Sequence, residues 1–448
     1  MEQIRKIAVL IFLSWATFCA YGQDDLTRAD SIPAIPTFTD TLAVDTIVTD
    51  LQADTTDIES DEEETYINLL VDTLYRSPNS IELNQFFTRM DEVMRTKSGN
   101  IHIVHIGGSH VQAGTMTNRI RKHLLEEYGQ EPAERGFIFP YSAANNCNNP
   151  FDYKVTKKAP FNLIRNVYAN HPFPLGGSGI AVWCADEPNW IGIQLKDNDF
   201  RYLADTLVLW GSTRGYPIDP ILQYDTVYQF PDSIDSDNGH FFFYPTHPLR
   251  EFTFHFPCSK GDTFIVNGIQ ILNANPGITV SSIGVNGAQV TSYLRCKNFE
   301  RDMAFIKPDL VIFGIGVNDA FGSSFDTIAF QNNYLQLVNK IRSSNPECAF
   351  IFLTNNDTWK KGRKGKYYVN PTGPAVQDAM YRLANATGGA VWDQFEVMGG
   401  LRSMETWRKK GLAQKDHVHF TAAGYNLIGD FFYNALIREI KTNYNDAQ

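Results

Sequence analysis

The sequence predicts an α/β fold in which a parallel sheet, covered by helices on both faces, is interrupted by an inserted β-sandwich. Three observations predict it. Strand-like and helix-like segments alternate near residues 80–128. The same alternation returns from residue 310 to the C-terminal region. Between them, from about Asn145 to Asn275, the chain is aromatic, turn-rich and poor in helical periods. Alternating strands and helices favour a parallel sheet with helical layers, whereas short strands punctuated by turns favour a sandwich.

The elements can be taken in order. Ile81, Leu83, Phe86, Phe87, Met90, Val93 and Met94 recur at helical spacing, with Ser80 as candidate N-cap. Ile101 to Ile106 reads as a buried strand ending in Gly107-Gly108. Thr115 to Tyr128 reads as a helix stopped by Gly129. In the central stretch, strand-like runs recur at Trp190–Leu195, Thr206–Trp210, His240–Tyr244, Glu251–Phe256 and Thr263–Val266. Leu310–Ile315 and Ala349–Leu353 then read as strands, Phe330–Arg342 and Ala375–Ala386 as helices, and Ala390–Trp392 as a short strand. Thr421 caps a final helix with apolar positions at Tyr425, Leu427, Ile428, Phe431, Phe432, Leu436, Ile437 and Ile440.

Ahead of this body lie two segments of another kind. Arg5 and Lys6 precede an apolar run, Ile7 to Phe18, and then Ala20-Tyr21-Gly22, the pattern of a secretory signal peptide over residues 1–22. The run is too short to span a membrane comfortably, and no later stretch reads as a membrane helix. Residues 23–64 carry 13 acidic side chains and one basic one, Arg28, and are expected to form a disordered acidic linker. They account for the formal net charge of −11, because residues 65–448 net to zero. With no basic excess in the body, nothing favours nucleic acid as a partner. Export points to the periplasm or the cell surface. Five cysteines remain after residue 22, so at least one is unpaired within the chain, and no C-x-x-C spacing suggests a zinc ribbon.

Three short segments carry candidate chemistry. Gly107-Gly108-Ser109-His110 follows the first strand, Gly316-Val317-Asn318-Asp319 follows another, and Asp416-His417-Val418-His419 precedes the last helix. In a parallel sheet these places converge at the carboxyl ends of the strands, where ligands bind. A serine hydroxyl needs a base within hydrogen-bond reach, and that base needs an orienting carboxylate. Ser109, His419 and Asp416 can fill these roles. The backbone N–H of Ser109 and the side-chain amide of Asn318 can stabilise an oxyanion. Each segment alone has an ordinary structural reading as a turn or a capped loop; the combination and its order carry the signal. His417 and His419 also form His-x-His, but no third ligand has helpful spacing, so neither metal nor other cofactor is expected. His102 and His105 are expected to be structural. His110 either lines the site or simply enters a helix.

That combination resembles the SGNH/GDSL hydrolase superfamily. Its first block matches Gly107-Gly108-Ser109, its third Gly316 to Asp319, and its fifth Asp416 to His419. The resemblance covers about 100–125 and 280–440. It implies a three-layer, flavodoxin-like hydrolase domain built from 65–144 and 276–448, with residues 145–275 as an inserted β-sandwich and candidate carbohydrate-binding module. It also implies a glycine N–H for the oxyanion from the family's second block, here Gly287, with Gly284 next. Gly108 stands where the family usually has Asp. The segments Ser109 to Gly114 and Arg135 to Pro140 look like exported bacterial members acting on acetylated polysaccharide. The expected activity is therefore a serine esterase removing O-acetyl groups from a cell-wall or other glycan. A lipase-like esterase or sugar O-acetyltransferase on the same site, and a non-catalytic glycan-binding protein, remain open. Trp183, Trp190, Trp210 and Tyr216 are candidates for stacking on sugars, against the plainer alternative that each is core.

Overall fold

The computed structural model describes residues 66–446, apart from residues 146, 197–199 and 323. The signal-peptide and linker expectations for 1–22 and 23–64 lie outside the described residues.

A six-stranded sheet forms the centre. Its strands are β1 (Leu74–Arg76), β2 (Asn100–Gly107), β3 (Gly277–Gly284), β4 (Leu310–Gly314), β5 (Ala349–Leu353) and β6 (Ala390–Trp392), in the order β1-β6-β5-β4-β2-β3. All neighbours are parallel except β1, which pairs antiparallel with β6. Counted along the parallel strands alone, this is the flavodoxin-like order. The chain reverses direction across the sheet between β2 and β4, the place where open α/β sheets bind ligands.

Strand alternation builds the layers. Ile101, Ile103, Leu310, Ile312, Ala349 and Ile351 pack with α1 (Ile81–Thr96) and with two later helices on the same face. These are α3 (Thr115–Tyr128) and the C-terminal helix, Ala422–Asp446, through Met116, Ile120, Tyr425, Ile428 and Phe432. Val104, Ile106, Val311, Phe313, Phe350 and Phe352 face the other way, onto the helices Thr327–Arg342 and Gly373–Thr387. The separate short helix α2 (Ser109–Gln112) sits at the end of β2. Ile81, placed on the apolar face by its spacing, is exposed, because it opens the first turn of α1.

The stretch between α3 and β3 forms two antiparallel sheets. One runs Val227–Gln229, Ile221–Tyr224, Glu251–Phe256, Asn189–Leu195, Tyr153–Lys157. The other centres on the ten-residue strand Thr263–Leu272, flanked by Thr206–Arg214 and Ile180–Ala185. Their inner faces meet through Phe256–Phe264 and Phe243–Phe254 ring contacts, at 4.6 and 5.3 Å between centroids. This is an SGNH fold with an inserted β-rich portion. The strand Gly136–Ile138, which precedes the boundary drawn from sequence at residue 145, already pairs with Ile269–Ile271. One hydrophobic cluster runs from Ile106 and Phe313 into the insertion, so both parts share a core. Buried charge braces the same region: the Arg135 Nε donates to Asp152 Oδ2 at 2.5 Å, with Arg121 Nη1 3.9 Å from the same oxygen. The five cysteines in the described residues are all free; Cys184 and Cys258 place their sulfurs 3.6 Å apart.

Candidate active site

Glycines set the floor of the site. Gly107 ends β2, where an added Cβ would fall 2.6 Å from the carbonyl of Gly314 and closer still to Val111. A Cβ on Gly284, at the end of β3, would lie 2.2 Å from the backbone nitrogen of Gln112. Only residues without a side chain let α2 settle this closely on the sheet ends. The chain therefore turns sharply at Gly108 and presents Ser109 as the first residue of α2.

Ser109 Oγ lies 2.8 Å from His419 Nε2, and His419 Nδ1 lies 2.6 Å from Asp416 Oδ2. The Asp416 carboxylate also accepts the backbone N–H groups of Val418 and His419, at 2.9 and 3.0 Å. That tight turn is possible because His417 adopts a left-handed conformation, φ +58°. Burial works against ionisation of Asp416. The hydrogen bond and charge of His419 and the two N–H groups outweigh it, and hold its pKa down to about 2. The arrangement can polarise the Ser109 hydroxyl toward His419 while a fixed carboxylate stabilises the imidazolium.

Donors gather on the other side of Ser109. Gln112, on α2, accepts the Asn286 N–H at 2.7 Å through its Oε1. This ties the Val285–Ala288 turn, closed by the Ala288 N–H on the Val285 carbonyl at 2.9 Å, to the helix that carries Ser109. Asn318 Nδ2 donates to the carbonyl of Ala288 at 3.0 Å, which leaves its second N–H. The backbone N–H groups of Ser109 and Gly287 meet no acceptor among the described residues. Gly108, in place of the family's Asp, has an ordinary φ of −96°, and its Cβ position lies 3.4 Å from Asn318 Nδ2 and 3.7 Å from the Ala288 carbonyl. The structure thus joins Ser109, His419 and Asp416 by direct hydrogen bonds, and ties the Val285–Ala288 turn that holds Gly287 to Gln112 and Asn318.

The remaining expectations divide. His110 stacks against His419, 5.0 Å between centroids, and its Nδ1 lies 2.9 Å from Tyr425 Oη. Burial, with the charge of His419 added, lowers its pKa to about 3. It is a neutral wall beside His419. Trp210 is corrected: it is 1% exposed, packed on Phe137 and Phe305, because this stretch of its strand, from Leu207 to Gly211, is covered on both faces. It has no face to offer a sugar. Trp183 is half-buried edge-on against Phe173, Trp190 is half-buried opposite His255, and Tyr216 is exposed. His102 Nδ1 lies 3.1 Å from the Ile306 carbonyl, and His105 Nδ1 lies 2.9 Å from Thr117 Oγ1. His417 turns away from His419 to Glu405, at 2.8 Å. Among the described residues no group of three His, Cys, Asp or Glu side chains is placed to hold a metal ion.

Sequence reasoning missed Gln112, Tyr425 and Glu405. Tyr425 reads only as an apolar helix position, Gln112 lies in the Ser109–Gly114 segment without a role that the sequence assigns, and Glu405 belongs to no recognisable motif.

A Ser–His–Asp hydrogen-bond chain at the switch point of a flavodoxin-like sheet defines an SGNH-type carboxylic ester hydrolase. The sequence profile of the GDSL-like lipase/acylhydrolase family matches residues 266–427, which include Asn318, Asp416 and His419 but not Ser109. A solved peptidoglycan O-acetylesterase superposes with a TM-score of 0.67 at 22% identity, over 82% of this chain and 99% of that one. A lipase/acylhydrolase from Enterococcus faecalis is 22% identical, with a TM-score of 0.28 over 37% of this chain and 77% of that one. An acetyl xylan esterase is 19% identical, with a TM-score of 0.29 over 35% and 81%. A comparison with curated proteins finds no match. Residues 266–427 thus carry the GDSL-like lipase/acylhydrolase pattern, on a chain whose fold is that of an SGNH hydrolase.

Proposed function

We propose that this protein is an exported serine esterase that removes O-acetyl groups from a cell-wall or other polysaccharide. Ser109 Oγ attacks the ester carbonyl as His419 Nε2 takes its proton. The N–H groups of Ser109 and Gly287 and the Asn318 amide receive the oxyanion. Collapse releases the sugar oxygen, protonated by His419, and leaves an acetyl group on Ser109. Water, deprotonated by His419, then attacks this ester, and acetate departs as Ser109 recovers its proton. Asp416 orients His419 throughout.

One observation carries the reading: the unbroken Ser109–His419–Asp416 chain at 2.8 and 2.6 Å. The acetyl ester and the glycan are suggested by the peptidoglycan O-acetylesterase whose fold spans most of this chain. Export is suggested by the basic and apolar start of the sequence. The test is acetate release from a panel of O-acetylated peptidoglycan, xylan and other glycans, with Ser109→Ala as control. In subtilisin, losing the nucleophile costs about 10⁶ in kcat. Equal, slow release by both forms refutes the mechanism, and acetyl transfer to a sugar in place of free acetate would make the enzyme a transferase.

A further inference from the structure

A hairpin outside the catalytic groups concentrates charge beside them. Its strands, Trp359–Lys361 and Tyr367–Val369, pair antiparallel, with a turn at Arg363–Gly365 between them. Residues 359–368 read Trp-Lys-Lys-Gly-Arg-Lys-Gly-Lys-Tyr-Tyr: five basic side chains and no acidic one, in a body (residues 65–448) that nets to zero. Lys361, Arg363 and Lys366 are exposed, and none has an acidic partner among the described residues. Tyr368, 57% exposed, stands across the ladder from Lys360.

The hairpin is tied to both loops that supply the site. On one side, the Trp359 N–H donates to the His417 carbonyl at 3.0 Å, two residues before His419. Tyr367 and Trp359 both pack on the His417 ring, at 4.3 and 5.5 Å. On the other side, Lys360 Nζ donates to the Gly322 carbonyl at 2.6 Å. Just past the hairpin, Asn370 Nδ2 and Thr372 Oγ1 donate to the Ala320 carbonyl at 3.2 and 3.0 Å, two residues after Asn318. Anchored at its base to both the Asn318 loop and the His419 loop, the hairpin holds unpaired cations and an exposed aromatic ring at the carboxyl edge of the sheet.

Exposed positive charge without internal partners raises the local concentration of anions, and it does so less as salt increases. An aromatic face beside it suits a sugar ring. We infer that the hairpin at residues 359–369 binds a glycan bearing carboxylate groups and feeds that chain to Ser109. The inference rests on the esterase reading for what the glycan is brought to, and it narrows that reading to an anionic polysaccharide. The acidic residues 23–64 of the chain itself are the competing polyanion.

Binding separates the two readings, because it needs no turnover. The full chain carrying Ser109→Ala is titrated with an oligogalacturonate and with a neutral xylo-oligosaccharide of equal length, at low and at 0.3 M salt. The expected result is at least tenfold tighter binding of the anionic oligomer at low salt, a preference that shrinks at high salt. Adding Lys361→Ala, Arg363→Ala and Lys366→Ala removes the preference, whereas Lys361→Arg with Lys366→Arg keeps it. Unfolding midpoints confirm that each variant is folded. No preference in the full chain, or a preference that survives the triple alanine variant, overturns the inference. Neither outcome bears on whether Ser109 hydrolyses esters, which the acetate assay decides alone.

Discussion

His419 Nε2 lies 2.8 Å from Ser109 Oγ, although 310 residues separate the two in the chain. The contact exists because Ser109 follows β2, which lies between β4 and β3, while His419 sits on a turn leading into the C-terminal helix, which packs back over α3. Asp416 completes the chain from within that turn. Its pKa of about 2 keeps it ionised at any ordinary working pH. Replacing Asp416 by Asn leaves the shape but removes the charge that holds His419. Steady-state kinetics on an activated acetyl ester should show kcat lower by about 10⁴ with KM little changed, the size of effect seen on removing the same charge from a serine protease. A loss under tenfold would remove Asp416 from the mechanism.

The amide of Asn318 is held by the Ala288 carbonyl with one N–H to spare. Asn318→Ala should lower kcat by about 10²–10³ while leaving the unfolding midpoint nearly unchanged. Gly108→Ala places a methyl group 3.4 Å from the same nitrogen. It should fold, since φ at Gly108 is ordinary, and should slow turnover more mildly than Asn318→Ala. Rate measurements on both variants rank the two effects.

Asp319 is largely buried, and burial raises its pKa to about 7, opposed by the Val290 N–H that it accepts. The folded state therefore holds this proton at pH values where the unfolded chain, with a carboxylate pKa near 4, has lost it. Stability from this group is complete below about pH 4 and declines as pH rises toward 7. Asp319→Asn keeps an acceptor for Val290 without the charge. It should match the wild type in denaturant titrations at pH 4 and exceed it by on the order of 2 kcal/mol at pH 8. Identical pH dependence of the two proteins would show that Asp319 does not carry this titration.

Asp152 faces two buried guanidinium groups, Arg135 at 2.5 Å and Arg121 at 3.9 Å. Burial raises its pKa, but the charges of Arg135 and Arg121 and the hydrogen bonds of Arg135 and Asn118 prevail and lower it. Asp152→Ala strands both cations in the core and should cost about 3–5 kcal/mol in equilibrium unfolding. Asp152→Asn, which keeps the shape and part of the bonding, should cost less.

Much of this was legible in the sequence. The strand of Ile101 to Ile106 became β2, and Thr115 to Tyr128 became α3 with those bounds, since apolar periodicity and a stopping glycine are local signals. Strand β3 was not read as a strand, because Gly277 to Gly284 mixes Thr, Ser and Gly with its apolar residues. Its pairing with β2 is a long-range fact. The hairpin at residues 359–369 drew no reading from the sequence for the same reason: its meaning lies in what its base touches. Trp210 was misplaced as a sugar-facing candidate because composition does not say that both faces of its strand are covered.

By itself the sequence determined the alternation of elements, the turn residues at the strand ends, and the chemical types at Ser109, Asn318, Asp416 and His419. Those depend on local backbone preference and on side-chain chemistry. Tertiary structure alone decided that the four converge, that Gly284 lets α2 settle on the sheet, that the Val285–Ala288 turn is pinned between Gln112 and Asn318, and that a basic hairpin stands beside them. Each of these is a contact between residues far apart in the chain. Such contacts are fixed by strand order and the packing of a shared core, which no local stretch encodes.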